Sequence, residues 1–98
     1  MVRITETALS NVAEIVAYIA RDSPETAVGF GQRLIAACEE LAGQPERYPL
    51  VPRYEKLGIR RRPLGAYLIF YRIISGEVEV SHVLHGARDY EALLFPED

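Results

Sequence analysis

The feature that most constrains the fold of this chain is a change in the spacing of its apolar residues. Up to about residue 42 they recur at the three- and four-residue intervals of helices, and from residue 59 they alternate with the period of a strand. A run of helices followed by a run of strands is typical of an α+β fold. The 98 residues have room for one core, so we predict a single domain over residues 1–98.

Two helices are predicted in the first half of the chain. The first spans residues 7–21, with an inward face of Leu9, Val12, Ala13, Val16, Ile19 and Ala20. The second spans residues 24–42, because Ser23 suits an N-cap, Pro24 suits the first helical position, and Gly43 and Pro45 end the pattern. So short a connection makes the two helices an antiparallel hairpin.

Three strands are predicted in the second half, over residues 59–62, 66–73 and 77–84, with turns at Leu64-Gly65 and Ser75-Gly76. Val2 to Ile4 alternates like a short edge strand. Strands joined by tight turns pair antiparallel. The predicted fold is therefore a two-layer α+β sandwich, in which the N-terminal helical hairpin packs on an antiparallel sheet of three or four strands.

The middle strand is unusual because it is apolar on both faces. One face carries Tyr67, Ile69, Tyr71 and Ile73, and the other carries Leu68, Phe70 and Ile74, interrupted by Arg72. A two-layer fold should leave one face of its sheet polar. Either the C-terminal Leu93-Leu94-Phe95 segment covers the second face, or a partner protein does. Val28 and Ile35 form a weaker apolar stripe outside the inward face of the second helix, which is predicted to carry Ala27, Phe30, Leu34, Ala37, Cys38 and Leu41.

Charge is distributed unevenly along the chain. The net charge of −3 divides into −4 over residues 1–46, +6 over residues 47–72 and −5 over residues 73–98. This asymmetry indicates a localised anionic partner. Arg60, Arg61 and Arg62 are the densest cluster, and strand alternation places Arg60 and Arg62 on one face and Arg61 on the other. They can bind phosphate or carboxylate, or protect an edge strand from aggregation.

Other function classes find little support in the sequence. The 49% hydrophobic content argues against disorder, and no apolar run approaches the ~20 residues of a membrane span. Cys38 is the sole cysteine, so no internal disulfide or cysteine-based zinc site is expected, and with no apparent secretory leader we expect a cytoplasmic location. We predict no metal and no cofactor.

His82 is expected in the core beside Val80 and Leu84, whereas His85 and Arg88 fall in the loop after the last strand.

Four segments, in order, carry a resemblance to a known family. They are Ile15-x-x-Tyr18-Ile19-Ala20-Arg21-Asp22-Ser23-Pro24, Leu41-Ala42-x-x-Pro45, the Arg-rich strand leading into Tyr67-x-Ile69-Phe70-Tyr71-Arg72, and Val83-Leu84-His85-Gly86-Ala87-Arg88-Asp89. With these segments the chain resembles the RelE/ParE toxin superfamily, the toxins of type II toxin–antitoxin modules, and most of all its ParE branch.

The resemblance implies both a fold and a partner. The fold is two antiparallel helices on a twisted antiparallel sheet. The partner is a small antitoxin, with a ribbon-helix-helix N-terminus and an amphipathic C-terminal segment that wraps the toxin. We therefore expect antitoxin contacts at Val28, Ile35, Leu68, Phe70 and Arg72. RelE-like members cleave ribosome-bound mRNA, whereas ParE-like members poison DNA gyrase.

Chemistry favours the gyrase-directed branch. The mRNA-cleaving relatives carry a basic residue directly after the strand tyrosine and a late Tyr or His; the matching positions here are Leu68 and Leu94. Arg88 and, roughly, Arg61 match the charged residues of those enzymes, so they are the candidate catalytic residues if the chain is a nuclease. An inactive relative that only binds its antitoxin is the third possibility.

For a gyrase poison, five residues are predicted to contact the target: Arg60, Arg62, Tyr67, His85 and Arg88. The overall negative charge fits poorly with docking to ribosomal RNA, which favours strong positive potential. DNA gyrase is accordingly the expected target, and no direct sequence-specific binding of nucleic acid is expected.

Overall fold

A computed structural model of the protein describes residues 1–95. In chain order its elements are β1 (Val2–Ile4), α1 (Glu6–Ala20), α2 (Pro24–Glu39), 3-10 turns at Glu40–Ala42 and Glu55–Leu57, β2 (Arg60–Leu64), β3 (Tyr67–Ile74), β4 (Glu77–His85) and α3 (Tyr90–Leu94). The strands form one sheet in the order β1-β4-β3-β2. No helix in this part of the chain is both long enough and apolar enough to cross a membrane.

The two-layer α+β prediction is confirmed, with one refinement in the sheet. β2, β3 and β4 pair antiparallel through the predicted tight turns, but β1 pairs parallel to β4. The chain allows the parallel pairing because β1 is separated from β4 by the helical hairpin, β2 and β3, and parallel strands need such a long connection. Ser75 and Gly76 both have positive φ, 51° and 80°, as a two-residue hairpin turn with right-handed twist requires.

Local capping explains the helical hairpin. The Ser23 hydroxyl accepts a hydrogen bond from the Thr26 N–H at the start of α2, and the Thr5 hydroxyl accepts one from the Ala8 N–H at the start of α1. The Thr5 hydroxyl also donates to the Ser81 carbonyl, which ties α1 to β4. Gly31 is buried where α1 crosses α2: a Cβ there would lie 2.8 Å from Cγ2 of Val16, so the close helix contact requires glycine.

The inward face predicted for α1 is partly wrong. Val12 is buried as expected, but Leu9 is 48% exposed and Ala13 is exposed, whereas Ala8 and Ile15 are buried. The helix is thus rotated toward Ala8, since the Thr5 contacts fix its first turn against β4. The stripe predicted for α2 is nearly correct, and Phe30 alone of its members is only half-buried.

The sheet divides the core into two parts, and a bulge in β4 changes which of its residues face each part. Phe70 pairs with His82 and Tyr71 with Val80, so Ser81 is an extra residue on β4. Val80 and Val83 therefore both face the helices. The prediction that His82 shares a face with Val80 is wrong, because the bulge lies between them. On the other side of the sheet lies a smaller group, named here the opposite-face cluster: Val51, Phe70 and Leu84, with Tyr54, Ile59, Leu68, Tyr90 and Leu94 packed around them.

The opposite-face cluster shows what covers the second face of β3. Tyr90 and Leu94 of α3 pack on it together with Val51 and Tyr54 of the loop before β2. The Tyr54 and Phe95 rings stack with centroids 3.7 Å apart. Of the two alternatives for covering this face, the C-terminal segment or a partner protein, the structure shows the C-terminal segment folded back over it. The proline-rich loop before β2 supplies the rest of the cover.

Candidate functional site

A groove of about 350 Å³ lies between α1 and the adjoining ends of β3 and β4. Its walls include Asn11, Glu14 and Tyr18 from α1, and Tyr67, His85 and Arg88 from the sheet and the loop that follows it. Three of the five predicted target-contacting residues, Tyr67, His85 and Arg88, are therefore brought together. We call this cavity the donor groove, for the hydrogen-bond donors described below.

Strand register places the aromatic part of the donor groove. Tyr67 begins β3 and His85 ends β4, and the two are direct partners in the ladder. Their rings meet edge to face with centroids 5.1 Å apart, and Tyr67 also contacts Phe30 of α2 at 5.5 Å. Tyr67 is half-buried while His85 is exposed, so the tyrosine forms the wall and the histidine forms the rim.

A tight turn then brings Arg88 to the same groove. The Gly86 N–H donates to the Ala66 carbonyl at 2.8 Å, and the Arg88 N–H donates to the His85 carbonyl at 3.0 Å. A Cβ at Gly86 would lie 3.3 Å from that Ala66 oxygen, which is tighter than ordinary packing. The glycine thus permits the chain to leave β4 close to the β2–β3 turn.

Hydrogen bonds show which polar atoms of the groove residues are already occupied. The Ala87 N–H donates to Nδ1 of His85 at 3.0 Å, which leaves Nε2 as the outward nitrogen. The Val83 N–H donates to Oδ1 of Asn11 at 3.0 Å, so the amide nitrogen of that side chain has its two protons available. Arg88 adds a guanidinium. Glu14 is the acidic residue among those lining the groove.

The other two predicted target contacts, Arg60 and Arg62, hold the structure together instead of lining the donor groove. Arg60 donates to the carbonyls of Glu46 and Tyr48, at 3.2 and 2.7 Å. Arg62 donates to the Ala37 carbonyl at 2.7 Å and pairs with Glu40 at 3.0 Å. Its guanidinium also lies 5.3 Å from the centre of the Tyr48 ring. Arg60 thus attaches the loop before β2 to the sheet. Arg62 caps the C-terminal end of α2.

We expect Arg62→Ala to lower the free energy of unfolding by about 1–3 kcal/mol, because it removes a half-buried hydrogen bond to a carbonyl together with the Glu40 pair. Urea denaturation measures the change. Arg47→Ala is the matched control: that arginine also lies over Tyr48, at 5.3 Å, but is exposed, and its loss should change stability by less than about 0.5 kcal/mol. Equal effects of the two substitutions would contradict a structural role for Arg62.

Arg61 points to the opposite side of the sheet, as strand alternation predicted. Its guanidinium donates to the hydroxyl of Tyr90 at 2.6 Å, so it anchors α3. Leu68 and Leu94 pack in the same opposite-face cluster. The candidate catalytic pair is therefore divided: Arg61 holds α3, whereas Arg88 lines the donor groove.

The residues expected to contact an antitoxin lie on two sides of the molecule. Val28, 57% exposed, and Ile35, half-buried, line a shallow apolar groove between α1 and α2, with a volume of about 500 Å³. Phe70 is fully buried and Leu68 half-buried in the opposite-face cluster, so a partner reaches Phe70 only if the cover moves. Arg72 is exposed and shares Glu79 with Arg3.

Burial shifts the pKa of some titratable side chains that lie apart from the donor groove, Cys38 and His82 among them. Burial raises the pKa of the Cys38 thiol to about 11, so it stays protonated and unreactive at neutral pH. Burial also lowers the pKa of His82, whose Nδ1 has no hydrogen-bond partner in the described structure. Within residues 1–95 no three His, Cys, Asp or Glu side chains are grouped as a metal site would require.

These features define a class of protein: a small α+β domain in which a helical hairpin packs on a four-stranded sheet with an arginine-rich strand. Residues 2–90 match the family model described as the ParE toxin of the type II toxin–antitoxin system parDE. The chain belongs to that family. A comparison with curated protein sequences found no match.

Solved structures share the fold, and two toxin–antitoxin systems are among them. One is the chromosomal ParDE toxin–antitoxin system from P. aeruginosa, with a TM-score of 0.72 and 17% identity over 86% of this chain and 92% of that one. The other is the RelBE2 toxin–antitoxin complex from Mycobacterium tuberculosis, with a TM-score of 0.62 and 22% identity over 87% of this chain and 95% of that one. The fold is therefore shared with both a ParDE and a RelBE system.

Proposed function

We propose that this protein inhibits growth by poisoning DNA gyrase in the cytoplasm and is neutralised by a cognate antitoxin. One observation carries the choice of branch. The positions at which mRNA-cleaving relatives place catalytic groups are occupied here by Leu68 and Leu94, and both pack in the opposite-face cluster. The neighbouring Arg61 is bonded to Tyr90. This face of the sheet is used for attaching α3.

The antitoxin part of the proposal is supported by the family and by exposed apolar surface. The family is a toxin–antitoxin family, and one of the structures sharing the fold is named as a toxin–antitoxin complex. Val28 and Ile35 line an apolar groove that a wrapping amphipathic segment would fill. Residues 1–46 carry a net charge of −4, whereas residues 47–72 carry +6. The basic charge that could attract a partner is therefore concentrated in the middle of the chain.

A second candidate is a ribosome-dependent endoribonuclease, favoured by the donor groove itself. That groove holds a histidine, a tyrosine and an arginine within one cavity, and such a set can bind and protonate a phosphate ester. The two candidates differ in what Arg88 does. In a nuclease it binds the reacting phosphate, whereas in a gyrase poison it is one interface contact among several.

The test is to induce the protein in cells and measure gyrase-linked DNA breaks and mRNA 5′ ends together. We expect DNA breaks without codon-specific cuts. Growth inhibition should fall by graded amounts in Arg60→Ala, Arg62→Ala and Arg88→Ala, with about 2 kcal/mol for a central contact. Each value is compared at matched soluble protein, since Arg60 and Arg62 also stabilise the loop.

Cuts within translated codons that disappear only in Arg88→Ala would contradict the proposal and identify a nuclease. Loss of cleavage in that case should reach about two to four orders of magnitude. If neither gyrase-linked DNA breaks nor mRNA cuts appear while the antitoxin still binds normally, the protein is an inactive relative.

A further inference from the structure

We infer that the donor groove is a receptor for a carboxylate of a protein partner, held between Nε2–H of His85 and the guanidinium of Arg88. The inference deepens the proposed function, since it rests on this protein acting by binding another protein. It assigns His85 the role of hydrogen-bond donor, and not that of a base.

The first step is the tautomer of His85. The Ala87 N–H donates to Nδ1 at 3.0 Å, so Nδ1 carries a lone pair and no proton. A neutral imidazole has one proton, which must then lie on Nε2. The outward nitrogen of His85 is therefore an N–H donor. To act as a base the ring would have to accept a proton on the nitrogen that already accepts the Ala87 N–H.

The second step is the set of groups that surround this donor. Arg88 and the amide N–H₂ group of Asn11 line the same cavity, and Oδ1 of Asn11 is already occupied by the Val83 N–H. Arginine has donors only, and no acceptor. Together His85, Asn11 and Arg88 supply more donors than the Glu14 carboxylate supplies acceptors, so a ligand that fits the groove carries an oxyanion.

The third step is the choice of a carboxylate over nucleic-acid phosphate. Glu14 lies in the same groove, and α1 together with the rest of the first 46 residues carries −4. A polyphosphate chain requires a broad positive surface, which this wall of the groove does not provide. Ile15 and Val83 supply apolar walls beside the donors. Such a cavity fits an acidic side chain flanked by apolar residues of a protein segment.

The tautomer is tested directly on the full-length protein. Long-range ¹H–¹⁵N spectra of the histidine rings should show the proton of His85 on Nε2. A proton on Nδ1 would overturn the inference. This result does not depend on gyrase, so it remains decisive if the proposed target proves wrong.

The role of the donor is tested with two substitutions in the growth assay. His85→Gln keeps an N–H donor near the position of Nε2, whereas His85→Phe keeps the ring and loses the donor. We expect the glutamine variant to retain toxicity within about threefold and the phenylalanine variant to lose about tenfold or more, as for one hydrogen bond to a charged group. Lys56→Ala, an exposed residue outside the groove, is the control and should change nothing.

Equal losses in both histidine variants would indicate a base and overturn the inference, and full toxicity in both would show that the groove is not used. If DNA breaks are absent while the glutamine and phenylalanine variants differ as expected, the gyrase proposal fails and the donor role stands. If DNA breaks are present and the two variants do not differ, this inference alone fails.

The ligand class is tested with sodium acetate, inorganic phosphate and a 20-base-pair DNA duplex as probes. Acetate should shift the side-chain NMR signals of His85 and Arg88, and Arg88→Ala should abolish the shift at His85. The duplex should leave both signals unchanged. No response to either anion, or a response to the duplex at concentrations far below those of acetate, would overturn the carboxylate assignment.

Discussion

A chain truncated after Asp89 is expected to lose about 3 kcal/mol of folding free energy and its toxicity. The truncation removes α3 and with it the Tyr90 ring, which lies 4.9 Å from that of Phe70, and the Phe95 ring stacked on Tyr54. Tyr90, Leu94 and Phe95 are each half-buried, and full burial of one such side chain is worth about 1.5–3 kcal/mol. Phe70 and Leu84 would then be exposed to solvent.

Urea denaturation and binding of a hydrophobic dye measure the loss, and growth inhibition is scored at matched soluble levels. Tyr90→Phe is the control, because it keeps the ring on Phe70 and removes only the bond to Arg61, at about 1 kcal/mol. A truncated chain that is as stable and as toxic as the full one would show that α3 is dispensable. The expected loss of toxicity has a simple cause, since the arginine-rich strand and Arg88 adjoin the segment that is removed.

The fold was largely predictable because its signals are local. Ser23 and Pro24 mark a helix start within two residues, and Ser75-Gly76 marks a hairpin turn whose two positive φ angles suit those residue types. Alternation alone placed Arg61 opposite Arg60 and Arg62. Each of these inferences depends on a few neighbouring residues and on no distant contact.

The errors arise where distant segments meet. The rotation of α1 depends on a bond from Thr5 to Ser81, which are 76 residues apart in the chain. The same region of β4 contains the bulge that separates His82 from Val80, and no residue type marks a bulge of this kind in the sequence. Periodicity assumes a regular helix and a regular strand, so it fails at such positions.

The candidate site was predicted in part for the same reason. Tyr67 and His85 meet because one begins β3 and the other ends β4, which strand pairing implies. That Arg60 and Arg62 contact the target stays a prediction, but the sequence did not reveal that their guanidinium groups also donate to backbone carbonyls of Tyr48 and Ala37. Asn11 was missed because its role, accepting the Val83 N–H beside the donor groove, follows from how α1 lies on β4.

Phe70→Ala is expected to lower the free energy of unfolding by about 3–5 kcal/mol, a larger loss than that expected for Arg62→Ala. Phe70 is fully buried and lies at the centre of the opposite-face cluster, where α3, the loop before β2 and two strands meet. Ile74→Ala is the matched control on the same face of β3. It is 41% exposed, and its loss should be about 1 kcal/mol or less.

A second substitution at the same position decides whether Phe70 belongs to the core or to an antitoxin interface. If α3 and the loop stay in place, Phe70→Ala destabilises the free toxin, while Phe70→Leu, which retains most of the apolar volume, folds and binds antitoxin with nearly unchanged affinity. Chemical denaturation and titration with the antitoxin give the two quantities separately. A folded Phe70→Leu toxin that loses tenfold or more in antitoxin affinity would show that the cover opens on binding, because a buried ring can contact a partner only after Tyr90 and Leu94 have moved away.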